Sequence, residues 1–210
     1  MKTNPLVLIV LFGLLIYVAL STEHKFNQSA EQFTARSEGD AIVIAWRDEV
    51  RHPMALRLQE TYEENSGKAE RFIIELNSPG GSVSEGHQVI DVITRMKKTH
   101  IIETRVLSNR ICASMCVPLY LQGEKRTAAS AARFMFHEPT SVDSVTGEEV
   151  KQPAFVKRYE TRQFVDKYFK ESEMSPEWLA TLEKEWQGKD IWKTARQLVD
   201  ERANIVQELR

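Results

Sequence analysis

The most constraining feature of this sequence is a regular alternation between short apolar runs and longer amphipathic stretches. The runs at 41–46, 71–76 and 101–107 have the length and the β-branched content of buried strands. The stretches between them, 53–64 and 82–97, carry apolar residues at helical spacing. Strand and helix in strict alternation predict parallel βαβ units with right-handed crossovers and helices that cover the sheet. The sequence therefore predicts an α/β fold.

The second half of the chain is expected to continue with shorter elements. The predicted elements are an apolar segment at 111–121, a strand at 134–136, a polar loop or hairpin at 140–152, helices at 155–170 and 175–186, a short helix at 194–198 and a closing strand at 203–209. The best-marked boundary is Ser175-Pro176-Glu177, because serine is a common N-cap and proline is favoured in the first helical turn.

The first 21 residues are predicted to lie outside the fold. Residues 5–20 are uncharged and apolar, with a lysine before them and charged residues after them, which is the pattern of a secretory signal. The run is long for the core of a signal peptide and short for a spanning helix of about 20 residues. A cleaved signal peptide and an uncleaved membrane anchor both stay open, with a buried core helix as the third possibility.

Either export interpretation places the rest of the chain in the periplasm or at the extracytoplasmic face of the inner membrane. Residues 22–39 are polar and poor in aliphatic side chains, so they are expected to form a linker. Residues 40–210 are then the single folded domain.

Composition excludes several classes of protein. Hydrophobic residues make up 42% of the 210 residues, enough for a core and too many for a disordered chain. The net charge of −2 argues against nucleic acid as a partner, because such binding relies on an excess of lysine and arginine. Only Cys112 and Cys116 are present, so neither a disulfide scaffold nor a cysteine-rich zinc module is expected. No cofactor and no metal is predicted.

Three segments should meet where the parallel strands end, which is where α/β sheets bind ligands. The first, 77–83, follows a strand and precedes a helix, and contains adjacent glycines. Backbone amides exposed in such a turn can hold an oxyanion. The alternative is a turn that only needs positive φ angles.

The second and third segments carry a hydroxyl and an imidazole. Ser114 follows a strand at the expected start of a helix, a position suited to a nucleophile, with the amide of Met115 beside it. An N-cap serine is the alternative. His137 ends a strand and would be largely neutral at pH 7, as a general base must be. A loop histidine without a catalytic role is the alternative.

An orienting acid is less clearly marked. Asp190 precedes the predicted short helix and could either cap it or contact His137, and the spacing leaves both open. Asp166 is the next candidate acid. A serine–lysine dyad is a rival arrangement, in which Lys157 would be the base for Ser114.

Together these segments resemble the proteolytic subunit of the Clp protease, within the ClpP/crotonase superfamily, from about residue 40 to about residue 206. The similar motifs are RFIIELNSPGGSV, ASM around the serine, MFHEP around the histidine and DIWKTARQLVDERANIV near the end. The resemblance implies a ClpP/crotonase-like fold of repeated ββα or βαβ units in a single domain. It also implies these roles: Ser114 as nucleophile, His137 as general base, Asp190 as orienting acid, and the amides of Gly81 and Met115 as oxyanion donors.

The chain departs from this family in several places. Residues 108–111, Ser-Asn-Arg-Ile, stand where the family usually has a glycine. Residues 140–175 are longer and more charged than the family's handle segment, which leaves ring assembly open, although a homo-oligomer is possible. No P-loop is present, so any hydrolysis should be independent of ATP.

The cysteine pair around the serine resembles that of exported Clp-like proteins. If residues 112–116 were fully helical, the two Cα atoms would be about 6 Å apart, near the upper limit for a disulfide. A position of Cys112 before the helix would make a bridge easier. Two separate buried cysteines are the favoured prediction.

These observations predict an ATP-independent serine peptidase that hydrolyses peptides or unfolded proteins outside the cytoplasm. One alternative is a non-catalytic binding or scaffold protein that kept the fold. The other is a crotonase-type acyl-CoA enzyme, which shares the oxyanion hole.

Overall fold

The computed structural model describes residues 33–142 and 149–210. Its strands are β1 (Phe33–Glu38), β2 (Ala41–Trp46), β3 (Arg71–Leu76), β4 (Ile101–Val106), β5 (Ile111–Ala113), β6 (Lys125–Ala128), β7 (Arg133–Phe136), β8 (Ile191–Thr194) and β9 (Glu208–Leu209). Its helices are α1 (Met54–Asn65), α2 (Val83–Met96), α3 (Cys116–Tyr120), α4 (Ala154–Tyr168), α5 (Pro176–Glu185) and α6 (Ala195–Asp200).

The main sheet has the strand order β1-β2-β3-β4-β6-β9. Strands β2, β3, β4, β6 and β9 run parallel, and only β1 is antiparallel to its neighbour. Helix α1 connects β2 to β3 and α2 connects β3 to β4, so the predicted βαβ alternation is confirmed. The fold is α/β, as the sequence predicted.

Strand β1 lies within the segment expected to be a linker. Residues 33–38 form a hairpin with β2, and Gly39 makes the reversal with φ of +62°. The strand escaped prediction because its side chains are mostly charged or polar, with only Phe33 packed on Trp46, at 5.9 Å between ring centroids. An edge strand with one solvated face lacks the apolar pattern of a central strand.

A second sheet of order β5-β7-β8 carries the candidate site. Strands β5 and β7 are parallel, and β8 is antiparallel to β7. Residues 191–194 were not expected to be a strand, and the predicted closing strand at 203–209 shortens to β9. Both β8 and β9 are too short for apolar alternation to mark them. In the predicted polar loop, Val142 and Glu149 pair as an antiparallel bridge.

The core lies on one face of the main sheet. Inward residues of β2, β3 and β4 pack there against α1, α2, α3 and the second sheet in one continuous cluster. Trp186, Phe136 and Tyr120 are among the largest side chains that are fully buried. This packing fixes β5 and β7 against the carboxyl end of β3, where the candidate site is found.

Within residues 33–142 and 149–210, no helix combines the length and the apolarity that a membrane crossing needs. The apolar run at 5–20, predicted to be a signal or an anchor, lies outside the described residues, as does the first part of the expected linker.

Candidate active site

Ser114 lies in the tight turn between β5 and α3. Its φ angle is +52°, a left-handed conformation that non-glycine residues seldom adopt and that clusters at functional sites. The Ser114 N–H donates to the carbonyl of Met135 at 2.9 Å, and the N–H of Val117 donates to the Ser114 carbonyl at 2.9 Å. The serine therefore precedes the helix instead of beginning it, and α3 has only five residues.

His137 follows β7 directly. Because β7 is the parallel neighbour of β5, the two carboxyl ends lie side by side and bring Ser114 and His137 together. The Nε2 atom of His137 and the Oγ atom of Ser114 are 2.6 Å apart, a short hydrogen bond. With Nδ1 carrying the imidazole proton, the serine hydroxyl donates to Nε2.

The environment keeps His137 neutral. Burial lowers the pKa of His137 below its usual value, and this effect outweighs the nearby carboxylate of Asp190, which raises it. A neutral imidazole is the form that accepts a proton from serine.

Asp190 lies on the other side of the imidazole, just before β8. Its Oδ1 atom is 3.9 Å from the Nδ1 atom of His137, beyond hydrogen-bonding distance, and its side chain is 60% exposed. It does not cap the next helix, because α6 is capped by Thr194 in a capping box with Gln197. Asp166, the other candidate acid, lies on α4 and is paired with Lys170, just after that helix, at 2.6 Å.

The glycine turn packs directly on the serine turn. Gly80 has φ of +95°, and a Cβ atom there would lie 2.6 Å from the Cβ of Ser114 and 3.1 Å from the amide nitrogen of Met115. Gly81 has φ of +144°. The glycines therefore provide positive φ and also allow a close approach of two backbones.

Gly81 lies between two backbone hydrogen bonds that join the glycine turn to Val50. The N–H of Val50 donates to Gly80, and the N–H of Ser82 donates to Val50, each at 2.7 Å. In such a parallel bridge the amide of the residue between, Gly81, points away from Val50. Gly81 lines the same cavity as Ser114, whereas Met115 is fully buried and is not among the residues that line it.

A cavity of about 920 Å³ opens over the Ser114–His137 pair. Its lining is largely apolar and comes from four parts of the chain: the loop before α1, the glycine turn, the residues after His137, and α4. The α4 residues that line it are Tyr159, Glu160, Gln163, Phe164, Lys167 and Tyr168. The sequence marked α4 only as an amphipathic helix, since nothing in its spacing indicates which face meets the site.

Cys112 and Cys116 form a disulfide, so the prediction of two separate buried cysteines is wrong. Cys112 belongs to β5 and Cys116 is the first residue of α3. The turn between them brings their Cα atoms to 5.2 Å, closer than the helical spacing that the prediction considered.

Glu138 is a neighbour of the site that the sequence did not single out. Its Oε2 atom accepts from the Gly188 amide at 2.9 Å and lies 3.4 Å from the Nζ atom of Lys157. Glu138 therefore ties the loop before Asp190 to the strand end that carries His137. Lys157, the alternative base, is paired with this carboxylate.

Among the described residues, no cluster of three or more histidine, cysteine, aspartate or glutamate side chains is arranged to hold a metal ion.

Comparison with known proteins gives one consistent family. The family model described as Clp protease matches residues 40–201. The ATP-dependent Clp protease proteolytic subunit 1 of Chlamydia caviae is 31% identical over 119 residues, which cover 57% of this chain and 53% of that protein. The ATP-dependent Clp protease proteolytic subunit of Cyanophora paradoxa is 33% identical over 85 residues, which cover 40% of this chain and 42% of that protein. The chain thus spans about half the length of the curated relatives it matches.

A solved structure shows the same fold. A ClpP1 mutant from Listeria monocytogenes superposes with a TM-score of 0.61, over 80% of this chain and 90% of that one, at 19% sequence identity.

Proposed function

The chain belongs to the Clp protease family, and on that basis we propose that it is a serine peptidase acting on peptides or unfolded proteins. The observation that carries the proposal is the 2.6 Å contact between the Ser114 Oγ and the His137 Nε2, at the floor of a largely apolar cavity. This is the geometry of a nucleophile and its general base.

In the proposed mechanism Ser114 Oγ attacks the peptide carbonyl while His137 Nε2 takes the hydroxyl proton. The amides of Gly81 and Met115 donate to the oxyanion, and loss of one such donor costs about 3–4 kcal/mol in comparable enzymes. His137 then gives the proton to the leaving amine, and water releases the acyl group. Asp190 supports the imidazolium that forms between these steps.

We further propose that this hydrolysis needs no ATP and takes place outside the cytoplasm, in the periplasm or at the extracytoplasmic face of the inner membrane. The export-like pattern of residues 5–20 supports this location. The Cys112–Cys116 bridge supports it independently, because disulfides persist mainly in oxidising compartments. The lack of a P-loop in the sequence is the reason to expect turnover without ATP.

A fluorophosphonate probe tests the proposal on the purified full chain. We expect stoichiometric labelling of the wild type and none of Ser114→Ala. Ser37→Ala is the matched control, because Ser37 is an exposed serine of β1 and should label as the wild type does. Absence of labelling in the wild type would favour a non-catalytic binding protein. Full labelling and turnover in His137→Ala would instead make Lys157 the base.

A further inference from the structure

The cross-link between Cys112 and Cys116 encloses the proposed nucleophile. Resting on the proposed peptidase function, we propose that this disulfide is a positioning device that holds the Ser114 hydroxyl and the Met115 amide in their reactive arrangement. The bridge joins the second residue of β5 to the first residue of α3, with Ser114 midway between them. Its Cα atoms are 5.2 Å apart.

The turn needs such support because its own backbone favours it weakly. Ser114 holds a left-handed φ of +52° without being glycine, so other conformations compete with this one. Helix α3 has five residues and cannot stabilise its own first turn by cooperative hydrogen bonding. The backbone of Ser114 makes two hydrogen bonds, one to the carbonyl of Met135 and one from the N–H of Val117.

The cross-link acts on the two groups that the mechanism uses. Both lie inside a covalent ring of five residues, so a change in the φ or ψ angle of Ser114 has to move Cys112 or Cys116. Each cysteine is anchored in turn: Cys112 pairs with Ser78 beside the glycine turn, and both cysteines belong to the main core cluster. The bridge therefore transmits the rigidity of the core to the Ser114 hydroxyl.

Because the disulfide is buried, it should stay oxidised in the folded protein and act as a permanent brace of the serine turn, not as a redox switch. Both cysteines are 0% exposed. Reduction requires a thiolate to reach one sulfur along the bond axis, which the folded protein prevents. Dithiothreitol would convert the bridge to two thiols, becoming the cyclic disulfide itself, only after the core opens. Native protein should accordingly keep its labelling rate in dithiothreitol.

The main experiment compares the double variant Cys112→Ala/Cys116→Ala with Val89→Ala. Val89 is 0% exposed on α2, so its truncation also destabilises the core but leaves the turn intact. We expect the double variant to lose at least tenfold in kcat and in fluorophosphonate labelling rate, with KM within twofold. Val89→Ala should label within twofold of wild type despite a lower melting temperature. Equal labelling rates for the double variant and the wild type would overturn the proposal.

A readout that is independent of activity separates this inference from the proposed function. Amide hydrogen exchange in residues 111–117 should accelerate in the double variant and stay unchanged in Val89→Ala. Unchanged protection of residues 111–117 would overturn the proposed positioning role of the disulfide, whether or not the protein is a peptidase. Accelerated exchange in a protein that the fluorophosphonate never labels would support the positioning role of the disulfide and refute the proposed peptidase function. Should the double variant fold poorly, Cys112→Ala/Cys116→Val keeps more apolar volume and replaces it.

Two further measurements complete the test. Wild-type protein denatured without reductant should show no thiol that iodoacetamide can alkylate, and two alkylated cysteines would overturn the proposal. Rapid loss of labelling when native protein meets dithiothreitol would contradict the permanent brace and identify the bridge as a redox switch.

Discussion

At the scale of single residues, the pKa of His137 decides the pH range in which the site can work. Burial lowers this pKa below 6.5, the usual value for histidine. The base must be neutral, so activity should decline as acid protonates the His137 imidazole. We expect the acidic limb of kcat/KM, measured with a peptide ester, to have its midpoint below pH 6.5. A midpoint above 6.5 would contradict this assignment of the base.

The second residue-scale prediction concerns Asp190. Its charge raises the pKa of His137, so Asp190→Asn should move the midpoint of the acidic limb to lower pH. The rate should also fall, because the carboxylate no longer supports the imidazolium. We expect a loss well short of the ~10⁴-fold seen for a buried, hydrogen-bonded triad aspartate, since Asp190 is 60% exposed and 3.9 Å from the ring.

The control for this prediction is Asp166→Asn. Asp166 of α4 forms its ion pair with Lys170, just after the helix, so its replacement should leave both kcat and the pH midpoint unchanged. If Asp190→Asn has the full wild-type rate and midpoint, the orienting role belongs to another group.

At the scale of elements, the glycine turn and the serine turn form one unit. A methyl group on Gly80 would lie 2.6 Å from the Cβ of Ser114 and 2.7 Å from the carbonyl oxygen of Ala113, and the residue would also be strained at φ of +95°. Gly80→Ala should therefore displace the nucleophile and reduce the labelling rate by at least tenfold. The fluorophosphonate reaction measures this directly.

Gly39→Ala separates displacement from backbone strain. Gly39 also has a positive φ, +62°, but a methyl group there meets no atom within 4 Å. The Gly39→Ala variant should have a melting temperature a few degrees lower, because the substitution is strained, and should label at the wild-type rate. Equal labelling by the two variants would show that the close approach at Gly80 is unimportant.

The elements also show which parts of the fold the sequence could predict. Strands β2, β3 and β4 were predicted because each is a short apolar run rich in β-branched residues, and helices α1 and α2 because their apolar residues recur at helical spacing. Strand β6 was missed for another reason than the polar edge strand β1 and the short strand β8. The residues of β6, Lys-Arg-Thr-Ala, include Arg126, which is buried through hydrogen bonds and not through apolarity. Burial of this kind depends on partners far away in the chain, which local patterns do not contain.

The sequence likewise predicted one part of the candidate site and missed another. The meeting of Ser114 and His137 follows from parallel strands that end at one edge, a rule that sequence order alone supplies. The disulfide was missed because it depends on the left-handed turn at Ser114, a single backbone angle that no spacing reveals. Glu138 was missed because its partner, the Gly188 amide, is 50 residues away.

At the scale of the whole molecule, the face of the main sheet opposite the core carries a network of paired charged side chains. Glu75 is 4% exposed, and it accepts from Arg36 at 2.8 Å and from Arg105 at 2.7 Å. Arg105 also binds both oxygens of Glu38. These side chains lie on the same sheet face as the small apolar cluster of Ala41, Val43 and Ile73. Opposite charges therefore connect β1, β3 and β4 on this face.

This charged layer should make the stability of the molecule depend on pH. The hydrogen bonds from Arg105 lower the pKa of Glu38 from 4.5 to about 2. Burial alone would raise the pKa of Glu75, but the bonds from Arg36 and Arg105 outweigh it and lower the pKa. A carboxylate with a depressed folded-state pKa stabilises the fold fully above its unfolded pKa and loses that contribution as protons bind. The free energy of unfolding should therefore fall as the pH drops from 4.5 to 2.

Glu38→Gln isolates one part of this dependence. The variant should be less stable than wild type at pH 7 by about 1 kcal/mol, a modest amount because the Glu38 side chain is 46% exposed. The difference should shrink as the pH falls below 4.5 and be largely lost by pH 2, where about half of the folded wild-type molecules carry a protonated Glu38. Urea unfolding at each pH measures both curves, and Glu64→Gln, which removes an exposed carboxylate of α1, should run parallel to wild type throughout. A difference that persists unchanged at pH 2 would mean that Glu38 stabilises the sheet by packing and not by its charge.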